Sequence, residues 1–555
     1  MSKNISKEFK KYKVKKNNER MSKLCRPRKY QLQPQQKFLE EYFKSKYAQN
    51  GLLVNHKIGA GKTCTAVRIC ESYKKMRNIV VLLPASLIGN FRDELRSQCA
   101  DNTYISDKDR ELLSKLSPKS KKYKEIIKKS NAIINKYYTI YSYHKFVELF
   151  EQKKIKLRNT LLIVDEVQNM VSESGLFYKY LKQAIDKSDS KTKVVLLSAT
   201  PMFDKPVELA LTINLLKPRK EMPIGNNFNQ TFLKKVGDEY VMKNKDLFKK
   251  YISGYISYYL GAPPQTFPKM NLKLVKSKMS EFQFKSYMTS LSADGIHMKG
   301  AYRDADILDL PTDFMLGPRL ISNIAFPNKG IGIDGYNSLK GRHLDRKNMK
   351  EYSIKFYKIL NKIKKSTGPV FVYSNFKDIG GIKSFVKFLE YNGYKNYKIN
   401  GEGVRRFAVW SGDESSNIRE EIKRVFNNYN NYNGSKIKII LGTPSIKEGV
   451  SLLRVEQVHI IEPYWNMSRL KQIIGRAIRY CSHKDVKSDK RYVDVFIYMA
   501  TYPGKKTVDQ HIWNMAQEKN KIISQFEHAM KEKAIDCKIF HNHNQYKGDK
   551  VINCA

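Results

Sequence analysis

The stretch Asn55–Thr63 reads NHKIGAGKT and comes directly after the apolar run GLLV at 51–54. A buried strand that ends in a glycine-rich turn and opens into a helix aims backbone N–H groups and the positive end of the helix dipole at one point. An anionic phosphate is the natural guest there. Gly59, Ala60 and Gly61 form the cradle, Lys62 can reach the outer phosphates of a nucleotide, and the Thr63 hydroxyl can ligate Mg²⁺. The full pattern GxxxxGK[ST] asks for glycine where this chain has His56, so the loop alone leaves an ordinary glycine-rich turn as the alternative reading.

Further along, LLIVDEVQ at 161–168 ends an apolar run in adjacent carboxylates, Asp165 and Glu166. Ligands of open α/β sheets bind at the carboxyl ends of the strands. An aspartate placed there can secure the metal, and a glutamate can polarise an attacking water. LLSATPM at 196–202 brings the small hydroxyls Ser198 and Thr200 to another strand end. In the second half, LKQIIGRAIR at 470–479 carries Gln472, Arg476 and Arg479, with the two arginines expected one helical turn apart on one face. Two guanidiniums so placed can clamp a phosphate whose charge grows in the transition state. The alternative is an exposed basic helix face.

Lysine and arginine number 103 against 53 aspartates and glutamates, a formal net charge of +50 over 555 residues. That excess exceeds what solubility requires and predicts a polyanionic partner, nucleic acid first, although solvated lysine faces explain part of it. The basic N-terminus, MSKNISKEFKKYKVKKNNER, lacks an apolar segment of the signal-peptide type, and no run is long enough to span a bilayer. Secretion and membrane insertion are not expected. Seven cysteines without a CxxC pair fit reduced thiols in a reducing compartment. Cys537, His541, His543 and Cys554 have zinc-ligand chemistry but match no standard finger spacing, and this segment is read as a frayed C-terminus.

Short β-branched runs recur at NIVVLLPA, TLLIVDEV and KVVLLSATP, and again at GPVFVYSNF, KIKIILGTPS, QVHIIEPYW and VDVFIYMAT. Continuous apolar runs separated by helix-length polar segments are the signature of parallel strands buried on both faces. Two clusters of them predict an α/β protein with two doubly wound parallel-sheet domains. The expected organisation is a basic arm at 1–25, a first α/β domain carrying the phosphate loop at 26–218, an inserted and mainly helical subdomain at 219–345, a second domain at 346–505 and a C-terminal helical extension at 506–555. Residues 1–25 and the stretch at 117–130 read as mobile basic arms or exposed helices, and 426–434 as a loop. Val508, Ile512, Met515, Ile522, Phe526 and Met530 form a stripe at helical spacing, expected to pack on the protein itself.

The order GKT, DExQ, SAT and QxxGRxxR resembles the superfamily 2 helicases and translocases over most of residues 30–500. The resemblance implies two RecA-like domains, ATP with Mg²⁺, and nucleic acid running across both domains. Gln36 in LQPQQKFLEEYF is similar to the adenine-reading glutamine upstream of the phosphate loop, and LLPASLIGNFRDEL resembles a phosphate-backbone motif. YTIYSYHKF and VYSNFKDIGG resemble strand-tracking motifs. GTPSIKEGVSL, with Thr443, Glu448 and Gly449, resembles the motif that touches nucleic acid and nucleotide together. EPYWNMSRLKQIIGR is similar to the Snf-type P-x-W-N-P…Q-x-x-G-R, with Met467 in place of proline.

Within the superfamily, ISGYISYYLGAPPQTFP, GPRLISNIAFP, AQEKNKIISQF and AIDCKIF resemble a group from large cytoplasmic DNA viruses. That group contains nucleoside triphosphate phosphohydrolase I and the small subunit of the early transcription factor. DEVQ departs from the DECH or DEVH spelling common there. The resemblance implies a nucleic-acid-dependent ATPase of viral transcription that acts in elongation, termination or transcript release. Its strand would be single-stranded DNA, its partner a viral RNA polymerase or associated factor, and its location the virion and host cytoplasm. The alternatives are the ATPase subunit of an initiation factor, a conventional helicase, or a catalytically silent basic scaffold. Intact Lys62, Glu166 and Arg476 speak against the last.

Overall fold

The computed structural model describes residues 2–14, 20–26, 30–57, 59–117, 120–237, 239–293, 315–447, 450–546, 548 and 550–554. The chain divides into two units, residues 1–263 with 521–555, and residues 264–520.

The first unit holds β1 (Gly51–His56), β2 (Asn78–Leu83), β3 (Tyr138–Ser142), β4 (Thr160–Asp165), β5 (Lys193–Leu197), a small hairpin of β6 (Leu233–Val236) and β7 (Glu239–Met242), and β8 (Ile256–Tyr259). Six of these strands form one sheet in the order β3-β2-β4-β5-β1-β8, and every pairing in it is parallel. β1 and β4 are buried at every position, which is why GLLV and LLIV read as unbroken apolar runs. The phosphate loop leaves β1, and the carboxylate pair leaves β4, at the same edge of the sheet.

The second unit adds β9 (Lys269–Lys278), β10 (Val370–Tyr373), β11 (Lys395–Asn396), β12 (Arg406–Trp410), β13 (Ile439–Gly442), β14 (Gln457–Ile460) and β15 (Tyr492–Thr501). They form a second all-parallel sheet, β11-β12-β13-β10-β14-β15-β9. Apolar clusters cover both faces, one around Phe356, Phe385 and Tyr498 and the other around Phe371, Trp410 and Ile473. This is the expected two-domain α/β architecture.

The stretch 219–345 does not stand apart as an inserted subdomain. Its residues divide between the units, giving β8 to the edge of the first sheet and β9 to the edge of the second. β9, KMNLKLVKSK, pairs with β15 from Lys269↔Tyr492 to Lys278↔Thr501 and keeps its lysines exposed, as suits an edge strand that must not recruit another chain.

The basic arm is also not loose. Within it the helix Ser2–Glu8 buries Ile5, and Phe9 follows in the same core, 5.3 Å and edge-on from Phe38. The stretch 117–130 enters the helix Lys121–Tyr137, which buries Ile126, Ser130 and Ile134 and exposes most of its lysines. The stripe from Val508 to Met530 is buried along the helix Val508–Lys533, and Phe526 meets Phe248 edge-on at 5.0 Å. Among the described residues no helix is long and apolar enough to cross a membrane.

The cysteines depart from the reduced-thiol reading. Cys64 is joined to Cys99 and Cys537 to Cys554, while Cys70 is buried with a free thiol. Cys64 lies in the first turn of the helix Lys62–Tyr73 and Cys99 in a short turn packed beside it, a proximity created by the fold that spacing alone does not encode. The C-terminus is likewise structured, with Cys537–Asn544 helical. His541 lies beside Cys554 at 3.5 Å, whereas His543 turns away to the carbonyl of Gly261.

Candidate nucleotide site

Gly59 and Gly61 adopt φ of 84° and 68°, the left-handed region in which only glycine is unstrained. A Cβ at Gly59 would come within 2.8 Å of Ala262, and one at Gly61 within 2.5 Å of the Gln36 amide nitrogen. The turn therefore closes tightly and ends as the N-cap of the helix Lys62–Tyr73, whose first N–H groups face outward from the sheet edge.

Two glutamines grip this turn. Gln35 Nε2 donates to the Ala60 carbonyl at 2.9 Å and Gln36 Nε2 to the Gly61 carbonyl at 3.3 Å. The Gln36 oxygen accepts from the backbone N–H of Gln33 at 2.8 Å, closing a capping box on the helix Pro34–Tyr42. Gln36 thus touches the phosphate loop directly.

His56 stands where the motif has glycine because β1 still runs there and its side chain faces β8. The ring is fully buried, bonds the Ser257 hydroxyl at 2.8 Å, and Ser257 in turn donates to Asp536. Burial pushes the imidazole down to about 3, so it is neutral, and pushes the Asp536 carboxyl up to about 7. Ser257 and Asp536 lie in ISGYISYYLGAPPQTFP and AIDCKIF, stretches that carry the likeness to the viral group but give no sign in sequence that they meet at His56.

At the end of β4, Asp165 is buried and accepts the N–H of Glu166 at 2.9 Å. Glu166 itself has φ of 51°, a backbone conformation costly for a non-glycine residue and typical of functional positions held by their surroundings. The Tyr143 hydroxyl donates to the carbonyls of Asp165 and Glu166 and supports that turn. Lys62 Nζ lies 3.7 Å from Glu166 Oε1. The other Glu166 oxygen accepts from Gln168 Nε2 at 2.6 Å, and the Gln168 oxygen accepts from Ser198 Oγ at 2.6 Å. Ser198 also receives the Thr200 N–H at 3.0 Å. The loop, the carboxylates and the 198–200 turn form one hydrogen-bonded system. Thr63 and Asp165 offer the hard oxygen donors that Mg²⁺ takes, and the glycine turn leads into the N-terminus of the helix Lys62–Tyr73, the kind of helix end that receives phosphate. These residues fit a magnesium nucleotide.

In the second unit Asn466 caps the helix Met467–Ile474 by accepting the Arg469 N–H at 3.0 Å. Gln472 lies on that helix. Arg476 and Arg479 do not, because the helix ends at Ile474 and turns follow. They are nevertheless neighbours, since Arg476 Nη1 reaches the Val450 carbonyl at 3.5 Å and Arg479 Nε the Ser451 hydroxyl at 3.1 Å. The chain segment at 450–451, not helical periodicity, brings them together. Thr443 bonds the Trp410 carbonyl at 3.2 Å, and Glu448 and Gly449 lie outside the described residues.

Sequence reading missed the supports of this unit. Glu462 is buried and accepts from the Asn375 N–H at 2.6 Å, from Ser374 and from Asn323. Arg319 is sandwiched between Phe376 and Trp465, 5.0 and 4.7 Å from the ring centres. EPYWN and GPRL point to these two residues only once the fold places them together.

Comparison with known proteins agrees with this geometry. Residues 24–203 match the family described as type III restriction enzyme, res subunit, residues 354–481 the helicase conserved C-terminal domain, and residues 483–550 the nucleoside triphosphatase I C-terminal family. A protein of Acanthamoeba polyphaga mimivirus named as an ATP-dependent RNA helicase is 50% identical over 99% of this chain and 96% of its own length. An African swine fever virus protein named as a homolog of termination factor NPH-I is 25% identical over 88% of this chain and 76% of its own. With its glycine cradle, its carboxylate pair and that half-identical relative, this chain belongs to the helicase-type ATPases of large DNA viruses related to nucleoside triphosphatase I and is an ATP hydrolase.

Proposed function

We propose that the chain is a DNA-dependent ATPase of the translocase type that acts in viral transcription, in elongation or termination and transcript release. The observation that carries this reading is the match of residues 483–550 to the nucleoside triphosphatase I C-terminal family, supported by the relative named for termination. The net charge of +50 suits a nucleic-acid backbone, so binding should be strongly salt-dependent and largely blind to sequence. A viral RNA polymerase or an associated factor is the partner, and the virion and host cytoplasm are the setting.

In this reading Lys62 and the helix N-terminus bind the phosphates, Gln36 reads the adenine, and Thr63 and Asp165 hold Mg²⁺. Bound there, Mg²⁺ offsets charge on the phosphate oxygens. Glu166 accepts a proton from the attacking water. Arg476 and Arg479, with Gln472 beside them in sequence, neutralise the charge that grows on the transferring phosphoryl group. Gly449 contributes to the same nucleotide contacts.

A second reading, an RNA-dependent ATPase, is favoured by the name of the half-identical mimivirus relative. One assay separates them: ATP hydrolysis with no nucleic acid, single-stranded DNA, duplex DNA and RNA in parallel. The expected result is stimulation by single-stranded DNA, weak or absent unwinding of a tailed duplex, and displacement activity only alongside an RNA polymerase. Stimulation by RNA but not DNA would replace the first reading with the second, and unwinding of long duplexes by the isolated chain would make it a conventional helicase.

A further inference from the structure

We propose that Lys57 and Glu527 are positioning residues for ATP hydrolysis, joining the C-terminal helix Val508–Lys533 to the Glu166 carboxylate by way of the 198–200 turn. The proposal rests on ATP being hydrolysed at the glycine loop and adds a control on the geometry of that site.

Lys57 is the residue between β1 and the phosphate loop. Its backbone is held on both sides, since its N–H donates to the Tyr259 carbonyl at 2.9 Å and its own carbonyl accepts from Ala60 N–H at 3.3 Å. Its ammonium donates to the Ala199 carbonyl at 2.6 Å and lies 3.4 Å from Glu527 Oε1. The ion pair is about three-quarters buried on each side, with 26% and 25% of the two side chains exposed, so water screens it less than a surface pair. Ala199 is the neighbour of Ser198, which donates to Gln168, which donates to Glu166. Only one orientation of the Gln168 amide satisfies both contacts, with its nitrogen toward the carboxylate and its oxygen toward the hydroxyl. A continuous line of polar contacts therefore runs from Glu527 through Lys57, the 198–200 turn and Gln168 to Glu166.

The same C-terminal segment reaches the loop by a second line. β8 is an edge strand, and its outward-facing backbone groups are taken up by the last helices. The Ile535 N–H donates to the Ile256 carbonyl at 2.8 Å, and Asp536 accepts the Tyr258 N–H at 3.0 Å. Asn544 bonds the Tyr258 carbonyl and the Leu260 N–H, and His543 bonds the Gly261 carbonyl at 2.6 Å. Asp536 continues through Ser257 to His56, the residue before Lys57. Ala262, just beyond this braced strand, is the residue against which Gly59 packs. Residues far along the chain thus hold both flanks of the phosphate loop.

The chemistry explains why this matters for rate rather than for folding alone. Without Glu527 the Lys57 ammonium keeps a neutral carbonyl partner and gains freedom to leave it. The 198–200 turn then loses the contact that fixes Ala199, and Gln168 loses a fixed Ser198. Glu166, already in an unfavourable backbone conformation, depends on Gln168 to aim one oxygen, and small misplacements of a catalytic base lower the rate steeply.

The test uses the full chain in a steady-state ATPase assay with single-stranded DNA. Glu527→Gln and Lys57→Met should each lower kcat about tenfold and leave KM for ATP within about twofold, while Lys57→Arg restores most of the rate. Gln168→Leu should also lower kcat, and adding Glu527→Gln to it should lower it little further, because both act on Glu166 through one line. Thermal unfolding of each variant identifies any that fail to fold, in which case Glu527→Asp is read in its place. A parental kcat in Glu527→Gln overturns the proposal. Effects that multiply in the double variant, or a rise in KM that accounts for the loss, overturn it equally. Lys62→Ala in the same assay keeps the two readings apart: if it still turns over ATP the hydrolysis site is elsewhere, and if it is dead while Glu527→Gln is parental, only the positioning role fails.

Discussion

The Lys62 ammonium lies 3.7 Å from a carboxylate oxygen of Glu166. The residue proposed to grip phosphate and the residue proposed to activate water are thus an ion pair beside the glycine turn. In the proposed function a phosphate entering the turn would compete for the same ammonium and so free one oxygen of Glu166, while Gln168 holds the other at 2.6 Å. On that reading, substrate binding and preparation of the base would be one event.

Lys62→Ala is accordingly expected to reduce hydrolysis to background in a phosphate-release assay. The thermal unfolding midpoint should stay near that of the parent, since the side chain lies outside the apolar core and its ion pair with Glu166 is long at 3.7 Å. Turnover near the parental rate would remove the loop from the chemistry.

Gly61→Ala should raise KM for ATP about tenfold or more. The added Cβ meets the Gln36 amide at 2.5 Å, and the φ of 68° is strained for alanine. Pairing it with Gln36→Ala relieves the clash but not the backbone strain, so recovery should be partial. Titration with a fluorescent ATP analogue reads both, and full affinity in Gly61→Ala would show that the loop does not need this turn.

For Arg476→Ala a loss in kcat on the order of 10³-fold with little change in ATP affinity is expected, as for a group engaged at the transition state. The Arg476 guanidinium donates to the Val450 carbonyl at 3.5 Å, a long contact whose loss should leave the fold intact. An equal loss of affinity would make the residue a ground-state binder.

Acid should destabilise the second unit through His459. Burial pushes this imidazole down from 6.5 to about 3, and it stays neutral between the Tyr498 hydroxyl and Gln457. Its folded pKa lies below the unfolded one, so the unfolded chain takes up the proton first. The stability is whole above about pH 6.5 and is lost as pH falls toward 3, by about 1.4 kcal/mol per pH unit for each such histidine. Urea unfolding at several pH values below neutrality should show this slope, and His459→Gln should lessen it by about one proton. An unchanged slope would mean that His459 does not titrate differently in the two states.

Phe9→Ala should cost about 3 kcal/mol in the first unit, because the ring is buried against Phe38 and Tyr42. A denaturant midpoint equal to the parent's would mean that the N-terminal segment contributes nothing to this core.

Much of the nucleotide site is legible in the sequence because its parts are local. Gly59 to Thr63, Asp165 with Glu166, and Ser198 to Thr200 each sit where an apolar strand ends, and parallel strands place their carboxyl ends on one edge. The order of the motifs then carries the resemblance. What is not local was misread. QxxGRxxR suggests one helical face, yet the helix stops at Ile474, and the arginines share a neighbourhood through Val450 and Ser451. His56 looks like a defect in the loop motif, yet it is the last residue of β1, buried with its Nε2 bonded to Ser257.

Sequence alone therefore determined the two parallel sheets, the phosphate loop and the paired carboxylates, because apolar runs and turn residues state what each segment must bury and where it must bend. Only tertiary structure decided where 219–345 went, since ISYY and KMNLKLVKSK become edge strands through the partners they find, β1 and β15. It also decided that Cys64 meets Cys99, that Asp536 braces β8, and that Glu527 comes to Lys57 from 470 positions away. Such contacts depend on how separate hydrophobic faces close over one another, and a linear pattern of side chains does not specify which distant polar group will be carried along.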